Sequence, residues 1–501
     1  MVTRISGLAS GMDIDSMVKK LMTAESIPLT KMNQQKQLME WKRENYREVS
    51  TKLVTFLQDK ITKLSSATVL NAQKANVTGN TSAVSAVASS SASGVIDIKV
   101  ERLASASIAV TESGTWTNRD ASTTTLQDLG IATGQVQIGN ATIDVSEGDT
   151  IEAFVSKINN NKTAGVTAIY DAAGGLSLTS KATGTSSALQ IDPAILSKFN
   201  LTSTPGQDAK AVINGLTVSK SSNTFDVNGV MLTLNSTTPT DTTRITVSKD
   251  TDKVVEAVQS FVDAYNEVLS TLNSKVSEER YKKYTPLSTE ERAAMSDEEA
   301  KLWTDKAKSG MLKNDSILRQ TISDMRTAIL QGVDIGRTVE VTNADGTTST
   351  VNKPLMLTEL GITTGTYQTN GKLELDTDKL KAALEKDPDI VTDFFSTNYS
   401  TSFADNTYKQ SDGLLAKMRK ITNVSLQQMA QTAGTSQVSK DLTSTFLANS
   451  TMGEALNALE RRISDMTRKL NTIETNYFKK FTAMETAINK YNSTSSSLAG
   501  L

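Results

Sequence analysis

The stretch from about Leu456 to Tyr491 constrains this chain more than any other. Its apolar residues fall at Leu456, Leu459, Ile463, Met466, Leu470, Ile473 and Tyr477, then at Phe481, Met484, Ile488 and Tyr491. The steps alternate three and four, with one extra four between Tyr477 and Phe481, which makes a heptad seam with a single stutter. Read as a helix, it is a rod of roughly 54 Å with one apolar seam, and such a rod needs a partner. The opposite end of the chain offers one between Leu29 and Leu64. There Met32, Met39, Tyr46 and Leu53 are seven apart, and Val49, Phe56 or Leu57, Ile61 and Leu64 fill the second seam position. Glu40, Lys42, Arg43, Glu44, Arg47 and Glu48 form a solvated face of mixed sign. The simplest construction pairs the two ends as a coiled-coil stem and lets the middle emerge as a head. The same stripes would also serve an ordinary bundle core.

A chain of 501 residues implies roughly three or four domains. Aromatic residues make up 5% while Ser, Thr, Ala and Asn are plentiful, which suits long surfaces better than a deep catalytic pocket. The net charge of −2, with acid and base interspersed, argues against nucleic acid or an anionic membrane as partner. Cysteine and histidine are absent, which excludes thiolate or imidazole metal sites and Ser-His-Asp or Cys-His catalysis. No run approaches the ~20 apolar residues of a membrane span. The opening Met1-Val-Thr-Arg-Ile-Ser-Gly-Leu-Ala-Ser-Gly-Met lacks the continuous apolar core of a secretory signal peptide. The expectation is a protein that is either cytoplasmic or exported by a route that removes nothing.

Along the chain, a helix is predicted to begin at Asp13 or Asp15, with Ile14, Met17, Val18 and Leu21 as its stripe and Pro28 as a stop or kink. The stem helix follows to about Leu64. Ala72 to Ser93 is rich in Ser, Thr, Ala and Gly and reads as a boundary. Strands are predicted at Ile96–Val100, in hairpins around Gly139-Asn140, Gly174-Gly175 and Asn214-Gly215, and near Met231–Leu234 and Ile245–Val247. A short helix is expected over Thr150–Asn159. Helix returns at Asp252 with a 3.6-residue stripe through Leu272. The charged segment 276–309 holds two capping-box patterns, Ser288-Thr-Glu-Glu291 and Ser296-Asp-Glu-Glu299, and reads as surface helices. Further helices are predicted at Ser316–Leu330, Thr377–Leu384 and Ile390–Phe395, with polar turns near Asn343–Gly346 and short strands near Leu373 and Leu375. From Leu414 to the end the sequence reads as helical throughout.

No phosphate-binding glycine loop, calcium loop or metal-ligand spacing is present. The carboxylate pairs Asp13/Asp15 and Asp376/Asp378 sit where helix caps or turns are expected. Trp41, Trp116 and Trp303 are too scattered to form a stacking platform. No catalytic residue, cofactor or metal site is assigned, and the chain reads as a non-enzyme.

The same residues resemble one family, the bacterial flagellar filament-capping proteins, FliD, also called hook-associated protein 2. The opening Ile5-Ser-Gly-Leu-Ala-Ser-Gly-Met-Asp-Ile-Asp-Ser16 with Pro28-Leu29 is similar to that family's N-terminal signature. So are Gly94 to Ala104 with Arg102-Leu-Ala104, Ser221-Ser-Asn223, Gly229-Val-Met-Leu-Thr-Leu234 and Phe261-Val-Asp-Ala-Tyr-Asn266 to its later segments. Gly310-Met-Leu312 with Asn314-Asp315, Leu360-Gly-Ile362 and Gly371-Lys-Leu373 continue the match. Thr150 to Asn159 with Gly165-Val-Thr-Ala168 resembles the Ile-Asn motif of hook and flagellin-like proteins. Segment 276–309 has no counterpart in this pattern.

The resemblance implies an α+β multidomain protein, with N- and C-terminal helices paired as a coiled-coil stem and antiparallel β-rich head domains inserted between them. The expected division is 1–40 with 456–501 as terminal helical segments facing the filament, and 41–78 with 251–455 as the stem domain. Residues 79–105 with 207–250 form a β-rich head domain, and 106–206 an outer β-rich domain inserted in it. The implied role is a structural cap at the distal filament end, which promotes insertion of exported flagellin. The implied partners are flagellin, further copies in a ring, the hook–filament junction protein, an export chaperone and the type III export apparatus, without nucleic acid or membrane insertion. The expected site is extracellular, at the filament tip, reached without a cleaved signal peptide. Ile5, Leu8, Ile14, Met17 and Leu21, with Phe481, Met484, Ile488, Tyr491, Leu498 and Leu501, are the expected filament-facing contacts. Packing of Met17 and Leu21 within the chain is the alternative. Rival readings are another axial flagellar protein, an adhesin for mucus glycans and a cytoplasmic coiled-coil adaptor.

Overall fold

The computed structural model describes residues 12–238, 240–365, 370–399 and 405–499. The chain divides into two compact units, one built from the chain up to Leu70 together with the chain from Asp252, the other from Asn71–Thr251.

Helix α1 spans Ile14–Thr55 and is opened by Asp13, whose carboxylate accepts from the Ser16 amide at 3.0 Å. This is the cap predicted from the sequence. The helix runs on through Pro28, where a stop or kink was expected. Proline removes one amide donor, but Ala24, whose carbonyl loses its partner, is exposed and open to water. A π-helical stretch, Phe56–Ile61, carries the chain into α2 (Thr62–Leu64) and α3 (Ala67–Leu70).

The inserted unit comprises β1 (Gln73–Thr78), β2 (Val84–Ala88), β3 (Val95–Arg102), β4 (Ala106–Thr111), β5 (Gly134–Ile138), β6 (Ala141–Val145), α4 (Ile151–Asn160), β7 (Val166–Asp171), β8 (Gly175–Thr183), α5 (Pro193–Lys198), β9 (Leu201–Thr204), β10 (Ala209–Ile213), β11 (Leu216–Lys220), β12 (Thr224–Val227), β13 (Val230–Leu234) and β14 (Thr243–Lys249). Its principal sheets run β1-β14-β3-β10-β11, β12-β13-β2 and β7-β8-β4-β9, and every pairing in them is antiparallel. The predicted hairpins have their expected registers: Val136 opposite Ile143, Tyr170 opposite Leu176, and Ile213 opposite Leu216. At the last of these Asn214 and Gly215 take φ of +49° and +85°, as a type I′ turn demands.

Two separate apolar cores fill this unit. Ile96, Ile98, Val100 and Ile245 pack with Val230, Leu232 and Leu234 in one. In the other, Ile151, Phe154 and Ile158 of α4 pack on Leu176, Leu178 and Phe199. The stretch from Ala72 to Ser93, expected to be a boundary, holds β1 and β2. Its inward positions are mostly Ala and Val among Ser, Thr and Asn, so the alternation is faint in hydrophobicity although the backbone pairs fully with β14 and β13. Residues 73–78 therefore belong to the inserted unit and not, as the expected division had it, to the helical one.

The helical unit resumes with α6 (Thr251–Ser277), α7 (Thr289–Ala293), α8 (Asp297–Lys308) and α9 (Ser316–Leu330). Both predicted capping boxes form, Ser288 with Glu291 and Ser296 with Glu299. The turn at Asn343–Gly346 joins an unpredicted hairpin, β15 (Thr338–Thr342) with β16 (Thr348–Asn352), whose β15 is exposed at every position. Next come β17 (Ile362–Thr364), β18 (Leu373–Leu375), α10 (Thr377–Lys386), α11 (Ile390–Ser396), α12 (Leu414–Ala433) and α13 (Thr451–Ala499).

The helix expected from Leu414 onward is thus broken. Gly434 caps α12 at φ +78°, and a Cβ there would meet the Leu447 carbonyl oxygen at 2.5 Å. One core joins Tyr46, Val49, Leu53, Phe56 and Ile61 to Phe261 and Tyr265 of α6, Leu318 and Met325 of α9, and Leu415 and Met418 of α12.

Candidate functional site

The terminal helices are the predicted site, and they do lie together. Helices α1 and α13 pack along one another in antiparallel sense. Lys36 Nζ is 2.8 Å from Glu460 Oε1, and the Tyr477 hydroxyl donates to Glu25 Oε1 at 3.1 Å. From Met39 and Leu456 to Tyr477 the predicted seam is covered: Met32, Leu456, Leu459 and Leu470 are buried, and Met39, Ile463, Met466, Ile473 and Tyr477 half-buried.

Tyr46 and Leu53 depart from the prediction. They are fully buried but belong to the common core with α6, α9 and α12, and the Tyr46 hydroxyl donates to Asp315, the residue that caps α9. Helix α13 starts only at Thr451, so at this level α1 faces a different element.

That element is the irregular strap 435–450. Arg43 donates to the carbonyl of Ala433, the last residue of α12, at 2.8 Å and to that of Leu447 in the strap at 3.4 Å; Arg47 donates to Ser444 at 3.1 Å and Ser50 Oγ to Ser436 at 2.8 Å. Both guanidinium groups lie over the Phe446 ring, at 4.2 and 4.4 Å from its centre. Lys440 pairs with Asp59 at 2.7 Å, so the strap is pinned along α1 from Arg43 to the π-helical stretch. No local pattern in the sequence announces this contact.

At the far end of the pair the expected filament contacts separate into distinct environments. Ile14 is 5% exposed and Val18 2%, so Ile14 packs inward and is not an outward contact. Met17, Phe481 and Ile488 are half-buried. Leu21, Met484 and Tyr491 are exposed, at 40, 38 and 76%. Leu498 lies on α13, while Ile5, Leu8 and Leu501 fall outside the described residues.

The family-like segments serve architecture. Asn266 donates to the Leu373 carbonyl and accepts from the Leu373 amide, both at 2.8 Å. Asn223 clamps Ala104 in the same way at 2.9 and 2.7 Å, and Asn159 clamps Ala168 at 2.8 Å in both directions. Asp13 and Asp376 are helix caps, Asp376 accepting from the Lys379 amide at 3.1 Å, which holds its carboxyl below the usual range. Trp116 stacks on Phe199 at 5.4 Å, and Trp303 meets Tyr284 at 4.7 Å.

Segment 276–309 is an ordered layer on α1. Gln34 donates to the Pro286 carbonyl at 2.9 Å and the Lys308 amine sits 5.3 Å from the Trp41 ring. In the interior, the Lys417 amine donates to the Gly332 carbonyl at 2.5 Å, and burial draws it down to about 8 against the opposing pull of Asp412. Among the described residues no three acidic side chains gather as metal ligands, and no helix is long and apolar enough to cross a membrane.

Comparison with known proteins identifies the architecture. The C-terminal model of flagellar hook-associated protein 2 matches residues 206–493, its N-terminal model residues 10–107, and the flagellin hook IN motif residues 133–182. The flagellar hook-associated protein 2 of Halalkalibacterium halodurans is 29% identical over 552 residues, covering 99% of each chain. That of Escherichia coli K12 is 27% identical over 521 residues, 98% of this chain and 96% of its own. The crystal structure of the flagellar cap protein FliD D1-D2-D3 domains from Escherichia coli shares the fold. It covers 83% of this chain and 99% of that one at TM-score 0.52 and 24% identity. With the C-terminal model alone spanning more than half of its length, the chain belongs to the flagellar hook-associated protein 2 family.

Proposed function

We propose that this chain is the structural subunit of a cap at the distal end of the bacterial flagellar filament. In this reading several copies form a ring. The cap promotes the folding and insertion of exported flagellin beneath it and prevents its loss, so filament assembly and motility depend on it. Its partners are flagellin, its own copies and the hook–filament junction protein, and it reaches the filament tip through the type III export apparatus with a chaperone, without a cleaved signal peptide. The terminal segments 1–40 and 456–501 face the filament. The parts 41–70 with 252–455, 71–105 with 207–250, and 106–206 act as stem, head and outer head; the two separate cores of the inserted unit support the last division.

The observation that carries this reading is the end of the α1–α13 pair beyond Glu25 and Tyr477, where Leu21, Met484 and Tyr491 stand exposed. A helix pair that is sealed over most of its length and apolar outside at its end suits a segment completed by a partner. Deleting the gene in the source bacterium should leave hooks without filaments and spill monomeric flagellin into the medium. Leu21→Asp, exported and folded, should do the same in part. Normal filaments in both strains would sink the proposal.

A further inference from the structure

Two surfaces of the helical unit complement each other in polarity and charge. The first is an apolar groove of about 720 Å³ where α1, α12, α13 and Met311 converge. Leu38, Met39, Met452 and Leu459 line it, and Lys42 and Arg462 stand on its edge. The second is the outer face of α8. There Leu302 is 60% exposed, with Glu298 one turn before it and Asp305 nearly one turn after it on the same side. Among the described residues, Lys42 and Arg462 pair with no carboxylate, and Glu298 and Asp305 pair with no cation.

We propose that the groove receives α8 from a second copy of this chain, with Leu302 entering it and Glu298 and Asp305 meeting Lys42 and Arg462. This rests on the reading that copies of the chain assemble with one another. A methionine-lined groove adapts to an inserted aliphatic side chain, and cationic edges select an acidic helix over a basic one. Both halves of the match are carried by one chain, so each copy offers a groove and a helix.

The two halves occupy different sides of α1. Gln34 and Trp41 face the 276–309 layer, whereas Gln35, Leu38, Met39 and Lys42 face the groove. At about 100° per residue the mean directions of the two sets are roughly 100° apart. A contact joining two different patches is head-to-tail, and it propagates from copy to copy until rotation closes a ring. The 12 residues of α8 present one face of a helix roughly 18 Å long. Such a patch is smaller than the ~1,200 Å² of a standard interface, so the contact is weak singly and gains strength from several copies. This assigns a role to the segment that the family-like pattern left without one.

The absence of cysteine makes the test direct. A full-length Leu302→Cys chain mixed with a full-length Ala458→Cys chain and oxidised should give a covalent dimer, about tenfold above the homodimer of either alone. By sedimentation, Glu298→Lys with Asp305→Lys should weaken self-association about tenfold. Adding Lys42→Glu and Arg462→Glu to that chain should restore it. Self-association without the cross-link and indifferent to the charge reversals overturns the inference and leaves assembly itself standing. A chain monomeric at every concentration overturns both. If purified flagellin, and not the Leu302→Cys chain, shields Ala458→Cys from a maleimide, the groove belongs to flagellin and the inference falls.

Discussion

A carboxamide carries a donor and an acceptor side by side, so one asparagine completes both backbone bonds on the side of a residue where no strand lies. Asn159 does this for Ala168 on β7, an edge strand, and Asn266 for Leu373 on β18. Such positions tolerate no aspartate, which has lost the donor. Lys417 is the opposite case, a group whose burial works against it. Its folded-state value of about 8 lies below the ordinary lysine value of 10.5, so the unfolded chain binds the proton more tightly. The resulting destabilisation is complete below pH 8 and is relieved as pH rises from 8 towards 10.5, by about 3 kcal/mol at most. Lys417→Met removes the charge and leaves only the Gly332 carbonyl without its donor, at a cost of about 1–2 kcal/mol. Urea unfolding should find the variant more stable than the parent at pH 7, with the difference shrinking above pH 8. A constant difference across that range would refute the assignment.

At the scale of elements, legibility in the sequence follows the distance over which each feature is specified. The capping boxes at Ser288 and Ser296 are written within three residues, and both form. The hairpin at Asn214-Gly215 is fixed by two residues that accept positive φ. The heptad seam was legible as a stripe, yet not where its partner ends: Tyr46 and Leu53 continue the spacing of Met32 and Met39 but pack on other helices. The hairpin β15–β16 escaped notice because an exposed strand has no inward residues to set a period. The strap was invisible because Arg43 and its acceptor Leu447 are 404 residues apart. Its hold is polar and aromatic, through Arg43, Arg47 and Phe446, with little burial. Phe446→Ala should therefore open 435–450 to limited proteolysis while the helical circular dichroism stays within a few per cent of the parent. Gly434→Val, which drives a Cβ into the Leu447 carbonyl, should destabilise the fold by about 2 kcal/mol or more and open the same stretch. Equal protease resistance in both variants would mean that the strap is held some other way.

The whole molecule is a contiguous unit, Asn71–Thr251, set into a discontinuous one. The two differ in what the chain must supply before they can form. All the residues of the β-rich cores lie between Ala83 and Ile245, so the fragment 71–251 carries its complete interior. The helical unit does not have that independence. Fragment 252–501 lacks Tyr46, Val49, Leu53, Val54, Phe56 and Ile61, all nearly fully buried in its core. Losing one large buried side chain costs about 2–5 kcal/mol, so six such losses, about 12–30 kcal/mol, match or exceed the 5–15 kcal/mol that separates a folded domain from its unfolded chain. Fragment 71–251 should fold alone with a cooperative denaturant transition and dispersed amide resonances. Fragment 252–501 should lack a cooperative transition until a peptide covering 12–70 is added, when protection should appear in α6, α9 and α12. The N-terminal helix is thus needed twice, as the partner of α13 and as one wall of the core, and no helical unit can form before both ends of the chain are present. If 252–501 unfolds cooperatively by itself, the dependence of its core on α1 is wrong, and with it the argument that the ends of this chain fold only together.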